Sequence, residues 1–531
     1  MRSLLERNIE ERLPVPVMST PFVPPNSPAH VRELQVASAG RHPIIVSSNG
    51  YVYRVTGNTL LPDASVRRAL AQAKTPEDAV AYHKAGFFLV AIKASPEGKQ
   101  VLIEVIQGEL TDARIAPGLG WFFDGLRYRS DLKENSVVAR SVLANAYAQR
   151  NGQSMQIGFV PSSNPGGSAI QVTQKPIQGF QPLTGNAFFG NYGSRYSSRY
   201  LTGGSLSYNP GWGLNLSVSG MAGLPTLTKA SAGSSYNQES LNASSITPWG
   251  IYAFNAQWTR YRLGNVAYPL NPTGKIFTWS LTGNQLLYAT ERSRWSLLEG
   301  YNHVSNHVRV YQDLIPGGYP LTVQDYNYFD IGTQFNTAYR WFGLVGSFNG
   351  SLIYNQGLNG SHGTLNNQIP SYPSAQFHYF DATLSVSQAL PLGMSATFTA
   401  SGQGAFNTLP QQNQWVLGGF GSLSAYYPGI LVGDSGYSGR LQVQSPPWSY
   451  HGFSISGNVY AETGGTTFTY LAPGQAPWQS LTDVGVGVSL QTPWKTSITA
   501  LSALPVGWNH VSQAVRRASR VDAYFVLTQN F

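Results

Sequence analysis

The sequence predicts an all-β transmembrane barrel of about sixteen antiparallel strands, preceded by two small α+β units, and three observations carry that prediction. The first is alternation. From residue 177 onward, Leu214, Leu216 and Val218 interleave with Asn215, Ser217 and Ser219, and Tyr252, Phe254, Ala256 and Trp258 with Ala253, Asn255, Gln257 and Thr259. Ala382, Leu384 and Val386 interleave with Thr383, Ser385 and Ser387, and Phe453, Ile455 and Val459 with Ser454, Ser456 and Asn458. Side chains change face at each residue of a strand, so these runs are apolar on one face and polar on the other. The second is charge. Only 11% of residues are charged, against about a quarter in a soluble protein. The third is the end of the chain, where Val521, Ala523, Phe525, Leu527 and the terminal Phe531 share one parity, as in the closing strand of an outer-membrane barrel.

The charge deficit is uneven and divides the chain. The first 176 residues hold 33 charged side chains, whereas the remaining 355 hold 26. A water-soluble front over 1–176 and a barrel over 177–531 follow. At roughly 20–24 residues per membrane strand with its connection, the second part accommodates about sixteen strands. A soluble sandwich or propeller would show the same period but carry more charge on its outer face. No run of about eighteen apolar residues is present, which excludes a helical membrane protein. Neither a disulfide framework nor a Cys-based metal site is open to a chain with no cysteine. The net charge of +9 is spread over both parts without a dense Lys/Arg run, so no nucleic-acid partner is expected.

Within the front, residues 1–43 read as a short amphipathic helix carrying Leu4, Leu5, Ile9 and Leu13, then a semi-rigid linker with six prolines from Pro14 to Pro28. The start lacks the apolar core of a signal peptide, so a mature or truncated form, or a misassigned start, is expected. The first unit, 44–110, opens with a strand over 51–55 and a turn at Gly57 and Asn58. A helix over 62–72 follows, then a second over 79–85 entered by Thr75, Pro76, Glu77 and Asp78. A hairpin of 87–94 with 99–106 turns at Pro96, Glu97 and Gly98. The second unit, 111–176, has a faint strand over 112–115 and a helix capped by Asn135 or Ser136, running to Arg150 and ended by Gly152. Its hairpin pairs 155–160 with 169–174.

Strand–helix–helix–strand–strand, with Val55-Thr56-Gly57-Asn58-Thr59, then Tyr82, Gly86 and Phe87, then the run from Val101 through Gly108-Glu109-Leu110, resembles a polypeptide-transport-associated (POTRA) domain. The second unit, with its helix leading into a Pro-Gly hairpin, resembles the second such domain of the two-partner secretion transporters. In the barrel, Gly418-Gly419 before and Gly433-Asp434-Ser435-Gly436 after a segment with Leu423, Ser424, Ala425 and Tyr426 resemble the in-folded signature loop of that family, the haemolysin and filamentous-haemagglutinin exporters of the outer-membrane assembly superfamily. Tyr460, Glu462 and Gly464 resemble its lumen-wall strand. Leu481 through Val488, with Gly485 and Gly487, resembles its Gly-x-Gly strand, and Asn191-Tyr192-Gly193 with Tyr200 to Gly203 its opening strands. One departure stands out: the family carries Arg-Gly at the loop tip, and this chain has Ser424-Ala425. Glu462 then needs another partner, water or a proton; Arg440 is one candidate.

The resemblance implies an outer-membrane exporter with its front domains in the periplasm. It would capture an unfolded secreted protein, a large β-helical exoprotein, and pass it through a barrel gated by the loop, as a monomer with no cofactor. Membrane lipid, and the barrel assembly machinery acting through the C-terminal strand with Phe525 and Phe531, are its other implied partners. An assembly factor of the same superfamily and a passive channel are the alternatives. Catalysis finds no foothold: Gly436-Tyr437-Ser438-Gly439-Arg440 lacks the second glycine of a nucleophile elbow, and no His-Glu-x-x-His occurs. His303 and His307 share a strand face and read as lumen or girdle residues, not metal ligands.

Overall fold

The computed structural model describes residues 42–531 except 49, 73–89, 108, 127–131, 162–166, 228–232, 265–266 and 359–362. The expected N-terminal helix and proline-rich linker, the helix over 79–85, and Gly86, Phe87 and Gly108 lie outside the described residues. Two compact units divide the chain, the first ending at Phe180 and the second beginning at Gln181.

The first unit contains two sheets. Strands Ile44–Ser48, Tyr51–Thr56, Val90–Glu97 and Gln100–Gln107 form one, in the order first, second, fourth, third. Tyr51–Thr56 therefore lies parallel to Gln100–Gln107. Helix Asp63–Gln72 has its acid in the first turn, where the dipole favours it, and presents Val66 and Leu70 one turn apart. Those two side chains pack on Tyr53, Val55, Val101 and Ile103 to make the core. Asn58 fixes the approach to the helix: its amide donates to the Leu61 carbonyl at 2.9 Å and its oxygen accepts the Leu61 N–H at 3.2 Å.

In the second sheet Glu109–Ile115 runs parallel to Gly167–Pro176, which pairs antiparallel with Gln153–Pro161. The faint strand expected over 112–115 is thus real and longer. Helix Glu134–Arg150 corrects one expectation. Lys133 occupies its N-cap with no side-chain cap bond, so Asn135 and Ser136 lie inside the first turn; Glu134 supplies the favourable negative charge there instead.

The second unit is a closed antiparallel barrel of sixteen strand positions among the described residues, from Leu183–Gly190 to Tyr524–Asn530. Closure is by main-chain pairing of last strand to first, in register from Val526 opposite Gly190 to Asn530 opposite Asn186. In lipid every backbone polar group needs an internal partner, and closure removes the edge that would lack one. Leu441, Val459, Val486 and Val488 face outward and are exposed, as a lipid-facing wall requires. His303 and His307 face outward with Trp295 and Tyr301. His303 stacks on Trp279, and His307 meets the Asp325 carboxylate at 2.9 Å, which places the pair in a girdle.

The terminal segment departs from its parity reading. The closing strand begins at Tyr524, so Val521 and Ala523 precede it, and Val521 is buried inside the barrel. The side chain of Asn191 ends the pairing at this point, accepting the Phe525 N–H at 2.7 Å and donating to the Ala523 carbonyl at 3.0 Å. Phe531 completes the other end, exchanging main-chain bonds with Gly185 at 3.0 and 3.2 Å.

Gly57 tests the first sheet. Its φ is +77°, and a Cβ there would stand 2.3 Å from the Val105 carbonyl oxygen, a backbone atom that has little freedom to move. Gly57→Ala is expected to hasten proteolysis within residues 44–110, losing at least about 1 kcal/mol of local stability. The heat-dependent gel mobility of the barrel should stay as in the parent; equal proteolysis rates would show that the close approach is absent.

Candidate functional site

Strand Ser395–Ala405 does not turn directly into its neighbour Ser435–Gln444. The intervening residues 406–434 fold back, and their tip is buried against the inner wall. Asp434 ties the base of this loop. Fully buried, it accepts the Leu409 N–H at 3.0 Å on one oxygen and the Thr469 N–H at 2.9 Å on the other. Its own carbonyl accepts from the Gln403 amide at 2.7 Å. Above this knot a short hairpin pairs Trp415–Leu417 with Leu431–Gly433. At the level of the knot Asn413 shares the Gln403 amide with Asp434, donates to the Tyr379 hydroxyl at 3.0 Å and accepts from the Tyr326 hydroxyl.

The glycines of the loop answer to close approach. Gly418 has φ +106°, and a Cβ on it would lie 2.3 Å from the Tyr427 carbonyl oxygen. Gly436 faces the Trp415 indole, which a Cβ would meet at 2.1 Å. Gly464 on the wall leaves room for the Leu417 side chain in the same way. Gly419 and Gly433 pack equally closely on Pro428 and on the Thr467 backbone.

The tip is Leu423, Ser424, Ala425 and Tyr426, each at most 1% exposed. Leu423 has φ +59°, a left-handed turn that brings successive N–H groups to one side. Ser424 N–H donates to Glu462 Oε2 at 2.7 Å, and Ala425 N–H to Asp483 Oδ2 at 2.9 Å. Glu462 and Asp483 stand directly opposite each other on strands Phe453–Thr467 and Gln479–Gln491. On its other side Glu462 faces Arg440, whose Nη1 reaches Glu462 Oε1 at 2.6 Å. The guanidinium lies over the Tyr460 ring at 4.1 Å and donates to Gln442 at 2.9 Å. Arg440, the candidate partner of Glu462, is thus the residue that pairs with it. A row of Arg, Glu and Asp across three adjacent strands, 18%, 2% and 0% exposed, receives the tip.

A second segment clasps the tip from behind. Val521 N–H donates to the Ala425 carbonyl at 2.9 Å, and Tyr427 N–H to the Ser519 carbonyl at 2.8 Å. The hydroxyl of Tyr524, at the head of the closing strand, donates to the Tyr426 carbonyl at 2.7 Å. Leu417, Leu431, Leu481, Leu501, Val511 and Val521 fill the space around these bonds.

The structure therefore brings together the loop residues Gly418, Gly419, Leu423, Ser424, Ala425, Tyr426, Gly433, Asp434 and Gly436 with Tyr460, Glu462 and Gly464. Phe525 and Phe531 stand apart, on the seam, with the Phe525 ring 5.6 Å from that of Phe189. Sequence reasoning passed over Asp483, although it lies in the quoted Leu481–Val488 stretch, and passed over the clasp of Ser519, Val521 and Tyr524. Parity would have placed Asp483 on the inner face; only strand register puts it level with Glu462.

A family model described as haemolysin secretion/activation protein ShlB/FhaC/HecB matches residues 166–474. No curated protein matches the sequence significantly. Among solved structures, CdiB from Escherichia coli superposes with a TM-score of 0.71 at 18% identity, over 93% of this chain and 92% of that one. CdiB from Acinetobacter baumannii gives a TM-score of 0.64 at 15% identity, over 86% and 81%. These likenesses support the fold, a closed antiparallel barrel and small α+β units in one chain.

The knot at Asp434 gives a test of the loop's anchorage. Asp434→Ala leaves the buried Leu409 N–H and the more exposed Thr469 N–H without their acceptor, a loss of about 1–3 kcal/mol. The temperature at which the folded gel band converts to the unfolded one should fall, and Asp434→Asn, which keeps one acceptor, should lie between. An unchanged conversion temperature for the alanine variant would refute the anchoring role.

Proposed function

Since the chain belongs to the haemolysin secretion/activation protein family of outer-membrane secretion transporters, we propose that it exports one secreted protein by threading it, unfolded, through its own barrel. The observation that carries this reading is a sixteen-strand lumen closed by a segment of the same chain, held there by hydrogen bonds and packing that no covalent link makes permanent. A barrel of that size is wide enough for an aqueous path once the segment withdraws.

In this reading the two front units are POTRA domains, 44–110 and 111–176, that stand in the periplasm and receive the partner. An extended polypeptide adds to an open sheet edge by main-chain hydrogen bonding, with side-chain pockets giving selectivity. Ile44–Ser48 is such an edge strand of the four-stranded sheet, and Ile45 on it is exposed. The barrel works as a monomer in lipid and reaches the membrane through the assembly machinery, which reads the strand ending in Phe531. Folding of the partner outside, into the β-helix of a large exoprotein, draws the chain outward and prevents return.

The loop gives the barrel two states. Docked, it offers main-chain donors to Glu462 and Asp483; withdrawn, it leaves an aqueous lumen lined by small polar side chains. In the organism that carries this chain, its deletion is expected to abolish export of a neighbouring large secreted protein while outer-membrane barrels keep their normal abundance, measured on fractionated cells. Normal export with general loss of barrel proteins would instead make the chain an assembly factor.

A further inference from the structure

Beyond the Asp434 at its base, the plug carries no charged side chain. From Phe406 to Gly433 the chain has no Asp, Glu, Lys or Arg. Yet its tip rests on two carboxylates, each at most 2% exposed, that face each other across adjacent strands. Two buried acids side by side are costly unless something compensates them. The tip does so only through main-chain N–H groups, those of Ser424 and Ala425. The Ser424 hydroxyl accepts the Gly421 N–H at 3.1 Å and reaches no carboxyl of the pair, its contact with the wall being a neutral hydrogen bond with Tyr460. The remaining tip bonds, to Val521, Ser519 and Tyr524, are also made by backbone atoms of the loop.

The only full positive charge bonded to this pair among the described residues is Arg440, and it belongs to the wall. It is fixed on three sides, by Glu462 at 2.6 Å, by Gln442 at 2.9 Å and by the Tyr460 face at 4.1 Å. None of these partners lies in the loop. When the loop leaves, Arg440 and Glu462 remain paired on neighbouring strands, in direct cross-strand register.

We infer that Arg440 is the wall's own counter-charge for the plug site, so that a neutral loop docks by its main chain and withdraws without separating an ion pair. Arg440 acts as a positioning residue: it holds Glu462 in the orientation that accepts the Ser424 N–H and offsets the charge that the neutral tip cannot. The identity of the side chains at 424 and 425 then matters little beyond their size. The inference rests on the channel reading above, yet it concerns the resting plug alone, so its test reads ion conductance and needs no export substrate.

The purified full-length chain is reconstituted into planar bilayers, and the frequency of open-channel events is counted for variants that keep heat-dependent gel mobility. Arg440→Ala leaves Glu462 without its counter-charge and is expected to raise opening at least about tenfold, given the cost of a buried unpaired charge. Ser424→Ala should stay within about twofold of the parent, since it keeps both main-chain bonds to the carboxyls and loses only a neutral side-chain contact with Tyr460. The decisive variant is Arg440→Ala with Ser424→Arg, which returns the guanidinium from the loop side into the volume that Arg440 vacated. It should close the channel again. Should Arg440→Ala give no folded barrel, Arg440→Gln alone should open the channel, and Arg440→Gln with Glu462→Gln should close it. The inference is overturned if folded Arg440→Ala opens no more often than the parent. It is overturned equally if the restored arginine closes nothing, if Ser424→Ala opens as much as Arg440→Ala, or if the double glutamine variant is as open as the single one. Loss of export with normal closure would bear on the transport reading and leave this one standing.

Discussion

A closed barrel of sixteen strands satisfies every backbone group in its wall but encloses more space than its inward side chains fill. Small barrels escape this problem because their interiors pack solid. Here the inner faces of the strands are polar and mostly small, so the volume belongs to water unless another part of the chain occupies it. The in-folded loop, the clasp over 519–521 and the row of charges on the wall all follow from that requirement. The plug must be stable enough to seal a membrane and weak enough to leave, which favours many hydrogen bonds of modest strength over one strong covalent or coordinate link.

The charges of the site show how this balance is struck. Glu462 and Asp483 give the loop two carboxyl acceptors in a water-poor site, where hydrogen bonds are stronger than in water. Their mutual repulsion, uncompensated, would cancel that gain. Arg440 offsets the Glu462 side of that pair from within the wall, with its guanidinium over the Tyr460 ring. Apolar packing by Leu417, Leu423, Leu431 and Leu481 excludes water from the bonds and strengthens them.

The architecture was legible in the sequence because its signals are local. Alternation reports the two faces of each strand, and the drop in charge after residue 176 reports the change of solvent from water to lipid. The site was legible in part. Gly418, Gly419, Gly433, Asp434 and Gly436 mark the loop through backbone demands that few other residues meet, and Glu462 with Arg440 followed from the need of a buried acid for a partner. Asp483 was not singled out, because parity gives the face of a residue and not its height; height comes from the register between strands far apart in the chain. The misplaced start of the closing strand has a similar cause. Val521 and Ala523 keep the right parity, but the Asn191 side chain, more than three hundred residues away, takes the main-chain groups on which pairing would continue.

Tyr524 is both the first residue of the closing strand and the donor to the Tyr426 carbonyl, so the seam of the cylinder and the stopper of its bore meet in one side chain. Departure of the loop takes an acceptor from the head of the closing strand, so the state of the bore is felt at the seam of the wall.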